Sequence, residues 1–286
     1  MNRIMLLALG VAALALGVAA LALPVSAQAV TVSKTSGVVK ADLSYVKRGL
    51  FEYRAVGLTI TRAGQVAQSG GVEKGCRECP VSPAETERGE SLELRDLDAD
   101  AEPEVLLRLY TGGAHCCTQL MIYGFVPETG TYARAFTDFG NSDYELEDLN
   151  GDGTLELRGY DDSAAYAFTS YAGSAFPIRI RAYRNRALVD VTREFPALVE
   201  RDAARWLRAY RSSSRLLSEF PSVRRARLVA YLADLHLLGR SAEADRFLAA
   251  QAKTSAVKRR ESGWPSGPVF VRAVEAYLKS AGYLPG

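Results

Sequence analysis

The chain has 286 residues, 48% of them hydrophobic and 24% charged, with a net charge of +2. That composition is globular and excludes a low-complexity or intrinsically disordered chain. The near-neutral total hides a split: residues 1–191 carry 18 basic and 24 acidic side chains, net −6, and residues 192–286 carry 17 and 9, net +8.

Arg3 precedes an unbroken run of twenty apolar or glycine residues, Ile4 to Leu23, and Ala27-Gln28-Ala29 offers a small-x-small cleavage site. This pattern predicts a signal peptide over 1–29 and a secreted or periplasmic protein. The run is also long enough to span a bilayer, so an uncleaved anchor is the alternative. Membrane association is expected only in that case. No cysteine follows the run, so nothing suggests a lipoprotein anchor.

Residues 30–191 read as antiparallel β-hairpins, with aromatic and β-branched residues alternating between turn signals. Leu58–Val66 is one hairpin. Two others are Leu120–Phe125 with a turn at Glu128-Thr129-Gly130, and Ile178–Tyr183 with a turn at Arg184-Asn185. All four cysteines lie in this region, in Gly75-Cys76-Arg77-Glu78-Cys79-Pro80 and Gly112-Gly113-Ala114-His115-Cys116-Cys117. An even count in an exported chain predicts disulfides. Three pairings are open: 76–116 with 79–117, 76–117 with 79–116, and 76–79 with 116–117. Cross-linking between the two motifs is favoured, because the polar 76–89 segment has little else to hold it. Zinc on these cysteines and His115 is the alternative, disfavoured by the oxidising compartment and by the adjacent Cys116 and Cys117.

Two nine-residue acidic loops stand out. The first is Asp96-Leu97-Asp98-Ala99-Asp100-Ala101-Glu102-Pro103-Glu104, and the second is Asp148-Leu149-Asn150-Gly151-Asp152-Gly153-Thr154-Leu155-Glu156. Both place oxygen-bearing side chains at positions 1, 3, 5, 7 and 9. A tight turn converges alternate side chains, and calcium takes six to eight oxygen ligands from such a cage. The candidate ligands are Asp96, Asp98, Asp100, Glu102 and Glu104 in the first loop, and Asp148, Asn150, Asp152, Thr154 and Glu156 in the second. Neither is an EF-hand, because the last carboxylate falls at position 9 rather than 12 and the flanks read as strands.

Strand, acidic loop, strand resembles the FG-GAP and VCBS-type repeats of integrin-like β-propellers, whose pattern is Asp-Leu-Asp-Gly-Asp-Gly-x-x-Asp/Glu followed by apolar residues. The second loop matches closely. The first departs at position 6, where Ala101 replaces a glycine suited to positive φ. The resemblance implies calcium binding and propeller-like blades, but two or three units are too few to close a propeller. An incomplete propeller-like stack or a small sandwich is therefore expected. The Gly112–Cys117 string also resembles one that recurs beside acidic loops in exported bacterial proteins.

From Thr192 the pattern turns helical, which predicts a β-rich domain over 30–191 and a small all-α domain over 192–286, an α+β two-domain chain. Pro196 opens a helix with Val199, Ala203, Trp206, Leu207 and Tyr210 on one face. Others run from about Val223 to Gly239, from a Ser241 cap to Gln251, and from Pro268 to Ser280. Arg201, Arg205, Arg208 and Arg211, with Arg224, Arg225 and Arg227, form a basic set that reads as a solvated face or a site for an acidic partner.

No nucleophile elbow, phosphate loop or His-Glu-x-x-His motif is present. Export and the lack of aromatic interleaving exclude nucleic acid. The sequence reads as a calcium-stabilised, non-catalytic exported binding or scaffold protein for another protein or a cell-envelope polymer. The alternative is an extracytoplasmic hydrolase using carboxylates of the β region.

Overall fold

The computed structural model describes residues 27–49, 52–72, 82–83, 90–112, 117–212 and 219–284. The predicted signal segment up to Ser26, and Cys76, Cys79, His115 and Cys116, lie outside the described residues. The antiparallel strands come first and the long helices follow.

Three antiparallel sheets follow one another along the chain. The first is a meander of β1 (Ala27–Ser36), β2 (Val39–Arg48), β3 (Glu52–Arg62) and β4 (Gln65–Gly71). The second contains β6 (Leu92–Arg95), β7 (Glu104–Tyr110), β8 (Thr118–Val126) and β9 (Thr131–Asp138), with the two-residue β5 (Ser82–Pro83) sharing the β7 edge with β6. The third is β10 (Glu145–Glu147), β11 (Glu156–Tyr160), β12 (Ile178–Arg184) and β13 (Ala187–Asp190). The second and third sheets repeat one plan: a short strand, an acidic loop and three further strands. Arg95 pairs with Glu104 across the first acidic loop, and Glu147 pairs with Glu156 across the second. The Leu58–Val66 hairpin belongs to the first sheet, which lacks such a loop.

Period-two side-chain alternation stacks the sheets. On β7, Val105, Leu107 and Leu109 join a core with Val39, Leu43, Leu58 and Ile60 of the first sheet. Leu106, between them, faces the other way and packs with Leu120, Ile122, Leu157 and Tyr183 against the third sheet. On β12, Ile178, Ile180 and Ala182 turn from the second sheet and meet Val191, Phe195 and Val199. Each fully buried Leu, Ile or Phe contributes about 1.5–3 kcal/mol. One buried cation crosses the second core: Arg108 of β7, 2% exposed, pairs with Asp143 and lies over the Tyr144 ring at 4.1 Å.

Among the described residues the helices are α1 (Pro196–Arg211), α2 (Pro221–Leu237), α3 (Ser241–Gln251), the short α4 (Ser255–Lys258) and α5 (Gly267–Ser280). The expected amphipathic faces bury Leu228, Leu232, Leu235, Phe270 and Val274 in one core. Helix α1 lies on the third sheet through Val199 and Leu198, whereas Trp206 packs into the helical core. Ser241 is not a capping residue: it is the first residue of α3, and its hydroxyl pairs with His236 Nδ1 at 2.9 Å instead. No described helix is long and apolar enough to cross a membrane.

Part of the basic set is structural. Arg225 is 1% exposed and donates to the carbonyls of Ala256 and Arg259 at 3.3 and 3.1 Å. Arg227 donates to the carbonyl of Ala209 at 3.0 Å, and Arg224 lies over the Tyr210 ring. These cations satisfy helix ends and bind neighbouring helices. Period alone cannot reveal this, because their carbonyl partners are distant in sequence.

Candidate metal centre in the acidic loops

The two loops share one backbone conformation despite their different sequences. Asp96 accepts hydrogen bonds from the amides of Asp100 and Ala101 at 3.2 and 2.9 Å. Asp148 accepts from Asp152 and Gly153 at 3.2 and 3.0 Å. The carboxylate at position 9 reaches back to the amide at position 2 in each loop: Leu97 donates to Glu104 at 2.9 Å and Leu149 to Glu156 at 3.0 Å. The amides of Glu102 and Thr154 donate to Asp100 and Asp152, both at 2.8 Å. The loops also touch, with the Leu155 amide donating to the Leu97 carbonyl at 3.0 Å.

Positions 4 and 6 adopt positive φ in both loops, at 78° and 91° for Gly151 and Gly153 and at 60° and 69° for Ala99 and Ala101. The departure at Ala101 therefore leaves the turn unchanged. It costs strain instead, about 1–2 kcal/mol for a non-glycine residue in the left-handed region.

The first loop brings Asp96, Asp98 and Glu104 together, with one oxygen of each within 4.8 Å of the others. Positions 1, 3 and 9 of the second loop are Asp148, Asn150 and Glu156, so an amide replaces the middle carboxylate there. Not every candidate ligand joins the first cluster. Glu102 swings outward into a two-point ion pair with Arg62 at 2.9 and 3.0 Å. In the second loop, Asn150 and Thr154 are tied to Asp152 at 2.8 and 2.5 Å.

The first cluster is electrostatically costly by itself. Burial pushes the Glu104 carboxyl up to about 8; the charges of Asp98, Asp100 and Asp96 add to this and the Leu97 amide opposes it. Asp98 is also raised, by burial first and then by Asp100 and Asp96. Asp98 Oδ1 is buried without a hydrogen-bond partner among the described residues. Three converging carboxylates with an unsatisfied oxygen match the donor set of a hard cation.

Beside this cluster lies a cavity of about 410 Å³, walled by Asp98 and Glu104, with Arg62 and Arg186 among its other residues and Tyr183 reaching in from β12. Tyr183 is 2% exposed. Its ring passes over Gly124 of β8, where a Cβ would overlap the hydroxyl. Glycine inside a strand signals such a close approach, and Leu120–Phe125 carried that signal. Gly124→Ala is expected to destabilise the protein by about 1–3 kcal/mol. The loss should shrink when Tyr183→Phe is added, as read from urea midpoints of the single and double variants.

A second cleft, of about 590 Å³, lies between the third sheet and α1, with Asp202 at its wall. Asp202 accepts from the Ile178 amide at 3.0 Å, Trp206 Nε1 at 3.1 Å and Arg205 Nε at 2.8 Å. Behind it Asp234 is fully buried. Burial and the nearby Asp202 carboxylate raise the Asp234 carboxyl well above the usual range, and neither of its oxygens has a hydrogen-bond partner among the described residues. Neither residue is legible as a pair from sequence, since 32 positions separate them.

Cys117 is disulfide-bonded. Its partner, and so the pairing expected between the two motifs, lies outside the described residues.

No family model matches the chain, and no solved structure matches it. Among curated proteins it is similar to a probable thylakoid lumen protein of Synechocystis sp., 40% identical over 105 residues, or 36% of this chain and 31% of that protein. It is also similar to an uncharacterized protein of Sinorhizobium fredii, 36% identical over 93 residues, or 32% of this chain and 15% of that protein. The chain thus spans less than a third of the length of either relative.

Proposed function

We propose that this is an exported binding or scaffold protein whose stacked sheets are stabilised by calcium held in the acidic loops. One observation carries the reading. Loops with different residues at positions 3, 4, 6, 7 and 8 keep the same four amide-to-carboxylate hydrogen bonds and the same two positive-φ positions. The first loop accepts backbone strain at Ala99 and Ala101 to do so. Bound calcium would offset both that strain and the repulsion among Asp96, Asp98 and Glu104. Asp96, Asp98, Asp100 and Glu104 would hold the ion in the first loop, and Asp148, Asn150, Asp152 and Glu156 in the second.

The four-stranded sheets with loop-bearing hairpins support kinship with FG-GAP and VCBS-type propeller blades, arranged here as an open stack that the helical domain covers. The partial similarity to a thylakoid lumen protein supports an extracytoplasmic location, as does the N-terminal pattern. Asp202 at the larger cleft does not favour a hydrolase. Every Asp202 contact described above is a structural tie, and Asp234 lies behind it.

Calcium titration by calorimetry is expected to give a two-site isotherm. Asp98→Ala should remove one site and Asp152→Ala the other. A flat titration of the wild-type chain would contradict the reading.

A further inference from the structure

The cavity beside the first loop has features that a purely structural calcium site does not need. Tyr183 stands in its wall, 2% exposed, and its hydroxyl has no hydrogen-bond partner among the described residues. A buried hydroxyl left unpaired costs about 1–3 kcal/mol, and a ligand oxygen would satisfy it. Across the opening, the β12–β13 turn presents Asn185 and Arg186, both at positive φ, 52° and 61°. Glycine is the usual residue at the second of these positions, and arginine there holds its guanidinium over the cavity. Arg186 is only loosely held: Nε donates to the Phe125 carbonyl at 3.3 Å, and Nη2 lies 3.5 Å from Glu128. Arg62, by contrast, is committed to Glu102 and to the Phe125 ring.

The wall therefore combines four carboxylates, two arginines, an amide and a phenol with the apolar Phe125 and Pro127. Donors and acceptors so interleaved suit a polyhydroxylated ligand, and a volume of about 410 Å³ holds one or two sugar rings. The carboxylates would repel a negative ligand unless calcium lay between them.

We propose that this cavity binds an acidic saccharide, whose carboxylate is bridged by the calcium ion of the first loop and by Arg186 while Tyr183 bonds a ring hydroxyl. The inference rests on the calcium reading above. It narrows the expected cell-envelope polymer to one bearing sugar carboxylates. A carboxylate shared between a metal and a guanidinium takes charge-assisted bonds from both sides.

The test is calorimetry on the full chain, with calcium alone and then with an α-1,4-linked galacturonate dimer as probe. The dimer should bind in millimolar calcium and lose affinity at least tenfold in chelator. Arg186→Ala, on an exposed turn, should weaken the dimer about tenfold while leaving the calcium isotherm unchanged. Tyr183→Phe should weaken it several-fold, and neutral maltose should not bind. A normal calcium isotherm with no dimer binding, or dimer binding indifferent to Arg186→Ala, overturns this inference alone. Absence of a calcium isotherm overturns the calcium reading and this inference with it.

Discussion

Replacing Asp202 by alanine is expected to destabilise the protein by about 3–5 kcal/mol. The substitution strands the Ile178 amide at the start of β12 and the Trp206 indole and Arg205 on α1. One carboxylate thus joins the third sheet to α1, so the loss should appear as weaker cooperativity of the whole chain and not as fraying of α1. Asp234→Asn separates charge from shape. Asparagine keeps the shape of a protonated carboxyl and does not titrate, so this variant should stay within about 1 kcal/mol of wild type in acid. Above that range the two should diverge. The folded-state pKa of Asp234 is raised, so the native state holds a proton that the unfolded chain releases. The contribution of Asp234 is fully present below the ordinary carboxyl range near 3.8 and is lost as pH rises from there towards the raised value. Urea unfolding at about pH 5 and pH 9 should show the wild type falling further than Asp234→Asn. Equal slopes for the two chains would show that Asp234 takes up no proton on folding.

Arg108→Met is expected to cost about 3 kcal/mol. Arg108 is the buried cation between the second and third sheets, paired with Asp143 and stacked on Tyr144. Methionine fills much of the volume but leaves the Asp143 carboxylate without that guanidinium. Asp143 also accepts the Tyr144 amide at 2.8 Å and is partly exposed, so water can recover some of the loss. Adding Asp143→Asn should restore part of the stability. A double variant no better than the single would show that the ring contact, not the charge pair, is the larger contribution.

Much of the frame was legible because local pattern and burial agree. Val105, Leu107 and Leu109 alternate with Leu106 because β7 is covered on both faces. Val199 and Ala203 recur at helical spacing because α1 is covered on one. The loops were legible from odd-numbered oxygens. What could not be read depends on partners far away in sequence. Ala101 looked like a weakness in the first loop, yet Ala99 and Ala101 adopt the positive φ of Gly151 and Gly153. The Asp96 and Glu104 hydrogen bonds, closed across the loop, hold them there. Glu102 counted as a ligand by spacing, but Arg62 of the first sheet draws it away. Arg225 read as part of a surface stripe until α4 supplied carbonyls to bury it. Gly124 inside its strand signals a close approach, but only the stacking of two sheets brings Tyr183 to it.

The central claim is that calcium in the acidic loops holds the sheets together, and thermal melting of the full chain in chelator and in millimolar calcium tests it most directly. A ligand that binds only the folded state adds about 2.7 kcal/mol at a hundredfold excess over its Kd. For a chain of this size that raises Tm by roughly 5–10 °C per site. Tm should rise by that order in calcium, less so in Asp152→Ala and less again when Asp98→Ala is added. A wild-type Tm that is the same in calcium and in chelator would contradict it.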